Sequence, residues 1–110
     1  MRPEELPEHY FPAVRDRDIE RFMALFAPDA VMILPDGREV VGEAAIREAE
    51  LRVFASGAPV PQPTFVTAGA ASVAVEIDVH LPNGTVMKAA NFYQFNEDGL
   101  IQRLSTYRKV

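Results

Sequence analysis

Apolar positions recur along this chain with two different periods, and the change of period divides it. Between Leu6 and Arg17, the residues Leu6, Tyr10 and Val14 fall every fourth position, which puts them on one face of a helix. Pro7 suits the start of that helix, whereas Pro12 lies inside it and predicts a kink or a restart. Asp18 is a candidate N-cap for a second helix over Ile19 to Ala27, apolar at Ile19, Phe22, Met23, Leu25 and Phe26 and stopped by Pro28. Ala30 to Leu34 reads as a strand, Pro35-Asp36-Gly37 as a turn, and Glu39 to Val41 as a second short strand. Gly42 opens a third helix, Glu43 to about Ala55, with Ile46, Ala49, Val53 and Phe54 on one side and Gly57 at its C-terminal stop.

From Ala58 onward the period is two. Ala58 to Pro63 has a proline at every second position and predicts an extended linker, too short to separate domains. Thr64 to Ala68 is the next strand, and Gly69 to Ser72 a turn. Val73 to Leu81 alternates strictly, with Val73, Val75, Ile77, Val79 and Leu81 facing one way and Glu76, Asp78 and His80 the other. Pro82-Asn83-Gly84 signals a hairpin into Thr85 to Phe95, and the turn Asn96-Glu97-Asp98-Gly99 leads to Leu100 to Arg108. Helices first and an antiparallel meander later is an α+β order, with helices packed on one side of a curved sheet. The expectation is a single domain over residues 1–110 without internal repeats.

Composition narrows the chemistry. Apolar residues make up 48% and charged residues 25%, which favours a packed globule over a disordered chain. There are 16 Asp+Glu against 11 Lys+Arg, a net charge of −5 without a basic cluster, so neither nucleic acid nor an anionic membrane is an expected partner. Cysteine is absent, which removes disulfides, thiolate catalysis, zinc–cysteine sites and Fe–S clusters together. No apolar run approaches a membrane span, and the opening MRPEELPEHY lacks the apolar stretch of a secretion signal, so the expected location is the cytoplasm. The glycine-rich phosphate loops and the G-x-S-x-G nucleophile motif do not occur.

Three sets of residues could carry chemistry. Glu76, Asp78 and His80 share a face and could in principle hold a metal, but the alternation around them is that of a half-buried strand with a solvated side, so no metal site is assigned. Asn91 shares its parity with Met87, Ala89, Tyr93 and Phe95, which makes it a polar amide on an otherwise apolar face. A buried amide must find partners or cost roughly 1–3 kcal/mol. Tyr10, on the face with Leu6 and Val14, buries its ring and must place its hydroxyl. Two inward hydrogen-bonding groups among apolar ones form the pattern of a small-molecule pocket.

The stretch from Tyr10 to Ile46 carries a recognisable set of motifs. Asp18, Phe22, Leu25-Phe26-Ala27 and Asp29-Ala30 fit a "gD-x-x-x-l-x-x-l-F-a-x-D-a" segment. Gly42, Ala45, Ile46 and Arg47 fit a "G-x-x-a-I-r" helix start, and Tyr93, Phe95, Gly99 and Ile101 fit an "F-x-F-x-x-x-G-x-I" hairpin. Over nearly its whole length the chain resembles the SnoaL-like and ketosteroid-isomerase-like proteins. The resemblance implies a cone-shaped nuclear transport factor 2-like fold of class α+β, with three N-terminal helices packed on a curved antiparallel sheet and an apolar pocket at the open end. It also implies that no cofactor is used and that the chain forms a homodimer through the outer sheet face. Ungapped matching places Tyr10 on the family's oxyanion tyrosine, Asn91 on its protonated aspartic acid, and Leu34 where the base stands, with Asp36 the nearest acidic residue. The pocket reading therefore gives Tyr10, Asn91 and Asp36 as catalytic candidates. Val14, Met32, Leu34, Phe54, Met87, Tyr93 and Leu104 are the apolar contacts to a small molecule bearing a carbonyl or phenolic oxygen. A cofactor-free isomerase, cyclase or dehydratase with a weakened or relocated base, and a non-enzymatic dimerisation module, are the alternatives.

Overall fold

The computed structural model describes residues 1–57 and 60–109. A short 3-10 turn at Pro3–Glu5 leads into helices α1 (Leu6–Arg15) and α2 (Ile19–Met23). Strands β1 (Phe26–Ile33) and β2 (Glu39–Val41) precede helix α3 (Glu43–Ala55). Strands β3 (Val60–Ala68), β4 (Ser72–His80), β5 (Val86–Phe95) and β6 (Ile101–Arg108) follow. All six strands form one sheet in the order β2-β1-β6-β5-β4-β3.

The meander β3 to β6 is antiparallel, as its alternation predicts. The sheet as a whole is mixed, because β1 lies parallel to β6. Nor do the three helices all come first, and α2 is only 5 residues long. The connection explains both departures. β2 ends on one edge of the sheet and β3 begins on the other, so the chain between them must cross its face. The 13 residues of α3 reach about 20 Å at 1.5 Å per residue, close to the roughly 24 Å that five strand spacings span. Helix α3 is thus a strut across the inner face.

Local chemistry sets the boundaries. The Asp18 side chain caps α2 by accepting from Arg21 N at 3.1 Å, as expected. The helix stops at Met23 instead of Ala27, since the Leu25 carbonyl accepts from Ile101 N at 2.8 Å and draws Phe26 into the sheet. Pro12 does not break α1; the carbonyl four residues back, which its missing N–H leaves free, belongs to exposed Glu8. Of the expected linker, residues 58 and 59 lie outside the described residues, and Val60 to Pro63 belong to β3. That strand is an edge, where Pro61 and Pro63 can be accommodated without breaking a ladder on both sides. Gly42, ahead of α3, has φ +89°, a conformation that strains any side-chain-bearing residue.

The core is a chain of aromatic rings. Phe22 is fully buried and lies 5.3 Å from Tyr10, 5.0 Å from Phe26 and 6.3 Å from Phe54, centroid to centroid. Tyr10 continues the contact to Tyr93 on β5, at 5.1 Å and 73°. One ring in α2 therefore ties together α1, α3 and the sheet. On the outer face Phe65, Phe92 and Tyr107 are exposed, with Phe92 meeting Tyr107 edge-on at 5.6 Å. Replacing Phe22 with Ala should cost about 3–5 kcal/mol in urea unfolding. A loss below about 1 kcal/mol would show that the ring is not the hub of the core.

Candidate functional site

Two helices and four strands, β3 to β6, line the cavity that holds the candidate polar residues. Its volume is about 200 Å³, and Val14, Ile77, Val79 and Ala89 supply its apolar wall. Tyr10 enters from α1, Glu50 from α3 and Asn91 from β5. Each is largely buried, with Tyr10 at 7%, Glu50 at 9% and Asn91 at 6% exposure.

The hydrogen bonding differs from a simple pair of donors aimed at a ligand. Asn91 and Tyr93 are two residues apart on β5 and face the same side. The Asn91 amide Nδ2 donates to the Tyr93 hydroxyl at 2.8 Å. The Tyr10 ring packs edge-on against the Tyr93 ring at 5.1 Å. Burial pushes the pKa of both phenols up, and the neighbouring Glu50 charge adds to it, so both stay neutral. Asn91 Oδ1 is left buried without a hydrogen-bond partner among the described residues. The unpartnered atom of the amide is thus an acceptor, while Nδ2 keeps a second proton beyond the one given to Tyr93.

Glu50 is the residue that sequence reasoning missed. Burial alone raises its carboxyl from 4.5 to about 7. A signal was present: Glu50 sits four residues after Ile46 and four before Phe54, both buried on the inner face of α3. A charged residue at that spacing on an apolar stripe interrupts the core face as Asn91 interrupts β5.

The other candidates divide clearly. Val14 lines the cavity. Phe54 lines a smaller crevice beside it, also bordered by Val14. Tyr93 and Leu104 are buried core residues and Met32 is nearly so, while Leu34 packs against the core from its edge. Met87 is half-buried opposite Val79. None of these five borders the cavity. Asp36 is exposed in its turn, where it accepts from Arg38 N at 3.0 Å and Arg38 Nε at 2.6 Å. It is not part of the cavity, and the acidic group that is comes from α3 instead. On the outer side of β4, Asp78 pairs with Lys88 at 2.5 Å and His80 Nε2 lies 3.0 Å from Gln62 Oε1.

The raised carboxyl has a cost. An acid with a higher pKa in the folded than in the unfolded state holds extra protons when folded between those values. Stability therefore falls as pH rises from 4.5 to about 7 and levels off above, by about 3 kcal/mol in all. Glu50→Gln should raise the urea midpoint at about pH 8 and change it much less at about pH 5. An equal effect at both values would mean that Glu50 titrates normally.

Comparisons with known proteins agree with this fold. A model of the SnoaL-like domain matches residues 8–104. No curated protein sequence matches the chain. Among solved structures, a candidate ketosteroid isomerase from Kribbella flavida superposes with a TM-score of 0.84 at 22% identity, over 96% of this chain and 76% of that one. SalBIII, an epoxide hydrolase/cyclase-like enzyme of pyran ring formation in the polyether salinomycin, gives 0.83 at 22% identity over 97% and 90% of the two chains. A nuclear transport factor 2-like protein of unknown function from Cytophaga hutchinsonii gives 0.78 at 14% identity over 96% and 88%. At these identities the likeness is one of fold.

Proposed function

The chain belongs to the SnoaL-like domain family, and from that premise we propose that its cavity binds a small, flat, apolar molecule through one oxygen. The observation that carries this reading is the buried, unpartnered Asn91 Oδ1 in a cavity whose remaining wall is mostly apolar. A polar atom buried without a partner costs about 1–3 kcal/mol, and a ligand that satisfies it recovers that energy. The apolar wall adds about 0.8 kcal/mol for each methylene taken from water. Tyr10 and Thr106 contribute further polar atoms at the same end.

A specific observation also favours a catalytic reading. Glu50 is a carboxyl in the cavity that titrates near 7. A proton-transfer group works best when its pKa lies near the working pH, and such a group contributes about 10²–10⁴-fold. Glu50, rather than Asp36, fills the role of base in a cofactor-free isomerase of this fold. Its carboxylate would take a proton from the carbon next to the ligand carbonyl, leaving an enolate, and return it at the γ carbon.

One probe series tests both readings. A cyclic β,γ-unsaturated ketone that also carries a hydroxyl, the donor that Asn91 Oδ1 lacks, should give saturable NMR shifts in wild type, and Ala89→Phe, which fills the cavity, should abolish them. Conversion to the conjugated enone, followed by ultraviolet absorbance, should vanish in Glu50→Gln while binding persists. Absence of binding in wild type overturns the pocket; binding with turnover no faster than buffer leaves a non-catalytic binding domain.

Self-association is a separate proposal. The outer face, where Phe92 meets Tyr107, offers exposed aromatic surface for a second copy. Tyr107→Glu should convert a dimer to a monomer in sedimentation equilibrium; a wild-type monomer at high concentration would sink the idea.

A further inference from the structure

The polar end of the cavity holds one group whose hydrogen-bonding role changes with protonation, the Glu50 carboxyl. Asn91 Nδ2 gives one of its two protons to the Tyr93 hydroxyl, and the Tyr10 ring lies against the Tyr93 ring. Asn91 Oδ1, an acceptor, and the Glu50 carboxyl make no hydrogen bond with the described residues, and of the two only the carboxyl can change from acceptor to donor. An acceptor cannot satisfy an acceptor. A ligand carbonyl placed against Glu50 finds a donor there only when the carboxyl carries a proton, whereas a ligand hydroxyl can donate to the carboxylate at once. The Thr106 hydroxyl, half-buried at the side of the cavity, can serve either kind of ligand and does not discriminate.

We propose that Glu50 is the specificity-determining residue of this pocket, so that its carboxylate selects ligands bearing a hydroxyl and its carboxylic acid selects ligands bearing a bare carbonyl. The proposal rests on the pocket reading above and names the ligand class that each protonation state takes.

The surroundings leave Glu50 free to act as the switch. From α1 the titratable group at the cavity is Tyr10, and Tyr93 of β5 packs behind it; both are phenols held neutral by burial. Glu8 and His9 of α1 are exposed. On its own helix, Arg47 pairs with Glu20 of α2 at 2.6 Å, and Arg52 pairs with Glu48. On α2, Arg21 pairs with Asp16 at 3.2 Å. Glu43 at the start of α3, Glu39 on β2 and Asp29 on β1 are exposed. On β4, Glu76 is exposed and Asp78 is paired with Lys88 of β5 on the outer side, and His80 bonds Gln62. β3 contributes no titratable residue, and Arg103, Tyr107 and Arg108 of β6 do not border the cavity. Among the described residues, then, no cation neutralises the Glu50 carboxylate in the cavity, and burial alone sets where it titrates, near 7.

The test uses an isosteric pair that does not ionise in the working range, α-tetralol and α-tetralone. For a group titrating at about 7, a ligand specific for one protonation state changes its apparent affinity about tenfold between roughly pH 6 and pH 8. The alcohol should tighten about tenfold across that range and the ketone weaken about tenfold, both followed by NMR titration. In Glu50→Gln, whose amide both gives and accepts hydrogen bonds, both slopes should be flat. Wild type alone gives a second readout if the variant misfolds. At pH about 7, calorimetry in two buffers of different ionisation heat should show proton release with the alcohol and proton uptake with the ketone. Binding of both probes with flat or parallel pH slopes overturns the selectivity while sparing the pocket. Opposite slopes that persist in Glu50→Gln place the switch elsewhere and overturn it too. Binding of neither probe removes the pocket and this inference with it.

Discussion

A phenol hydroxyl has been carried into the fully buried middle of a sheet, and the interior is arranged around its need for partners. Tyr93 is fully buried, its ring lies against Tyr10, and its oxygen accepts from the Asn91 amide. Leaving such a group unpaired would cost as much as several packed methyl groups are worth. Meeting that need fixes the rotamer of Asn91, and the packing of the two tyrosine rings sets the position of α1 against β5. The Phe22 ring then joins α1, α3 and the sheet from the other side. The cavity is what remains between an aromatic cluster and a helix that cannot come closer.

Helix α3 is held at its distance by topology. It must carry the chain from the β2 edge to the β3 edge, so it lies across the inner face as a strut. The helix packs on β1, β2 and α2, and on its side toward β3 to β6 the cavity remains. Ile46 and Phe54 are buried toward the ends, and Glu50 stands between them at the cavity. The same arrangement that creates the opening therefore supplies it with a carboxyl out of reach of the surface arginines, which are paired elsewhere. Desolvation without a counter-charge is the simplest way to bring a carboxyl into the neutral range. Its cost in stability is the kind a fold carries at a site of use rather than in its packing.

Much of the architecture was legible along the chain. The period of two in Val73 to Leu81 and in the β5 segment places Val73, Val75, Ile77 and Asn91 on the inner face, where they are found. Leu6, Tyr10 and Val14 face the interior as their spacing implies. The limits of α3 and of β2 follow from Gly42, Gly57 and the turn at Pro35-Asp36-Gly37. Less legible were features decided by long-range contact. Phe26 belongs to a strand because the Leu25 carbonyl beside it is bonded to Ile101, at the far end of the chain, a fact no local pattern contains. Pro61 and Pro63 join a strand because that strand is an edge. The site was half visible: Tyr10 and Asn91 announce themselves as polar breaks in apolar faces, and Glu50 makes the same break less conspicuously on a helix with many charges.

The sequence by itself determined which residues turn inward, since periodicity and breaker residues act over a few positions and need no knowledge of the rest of the chain. Only the tertiary structure decided which polar atoms are spoken for. Which atom of the Asn91 amide is left unpartnered depends on Tyr93 lying within hydrogen-bond reach, and whether a carboxylate serves the cavity depends on which helix crosses it. Hydrogen bonds go to the nearest complementary atom in space, and the order of residues along a chain does not say which atom that will be.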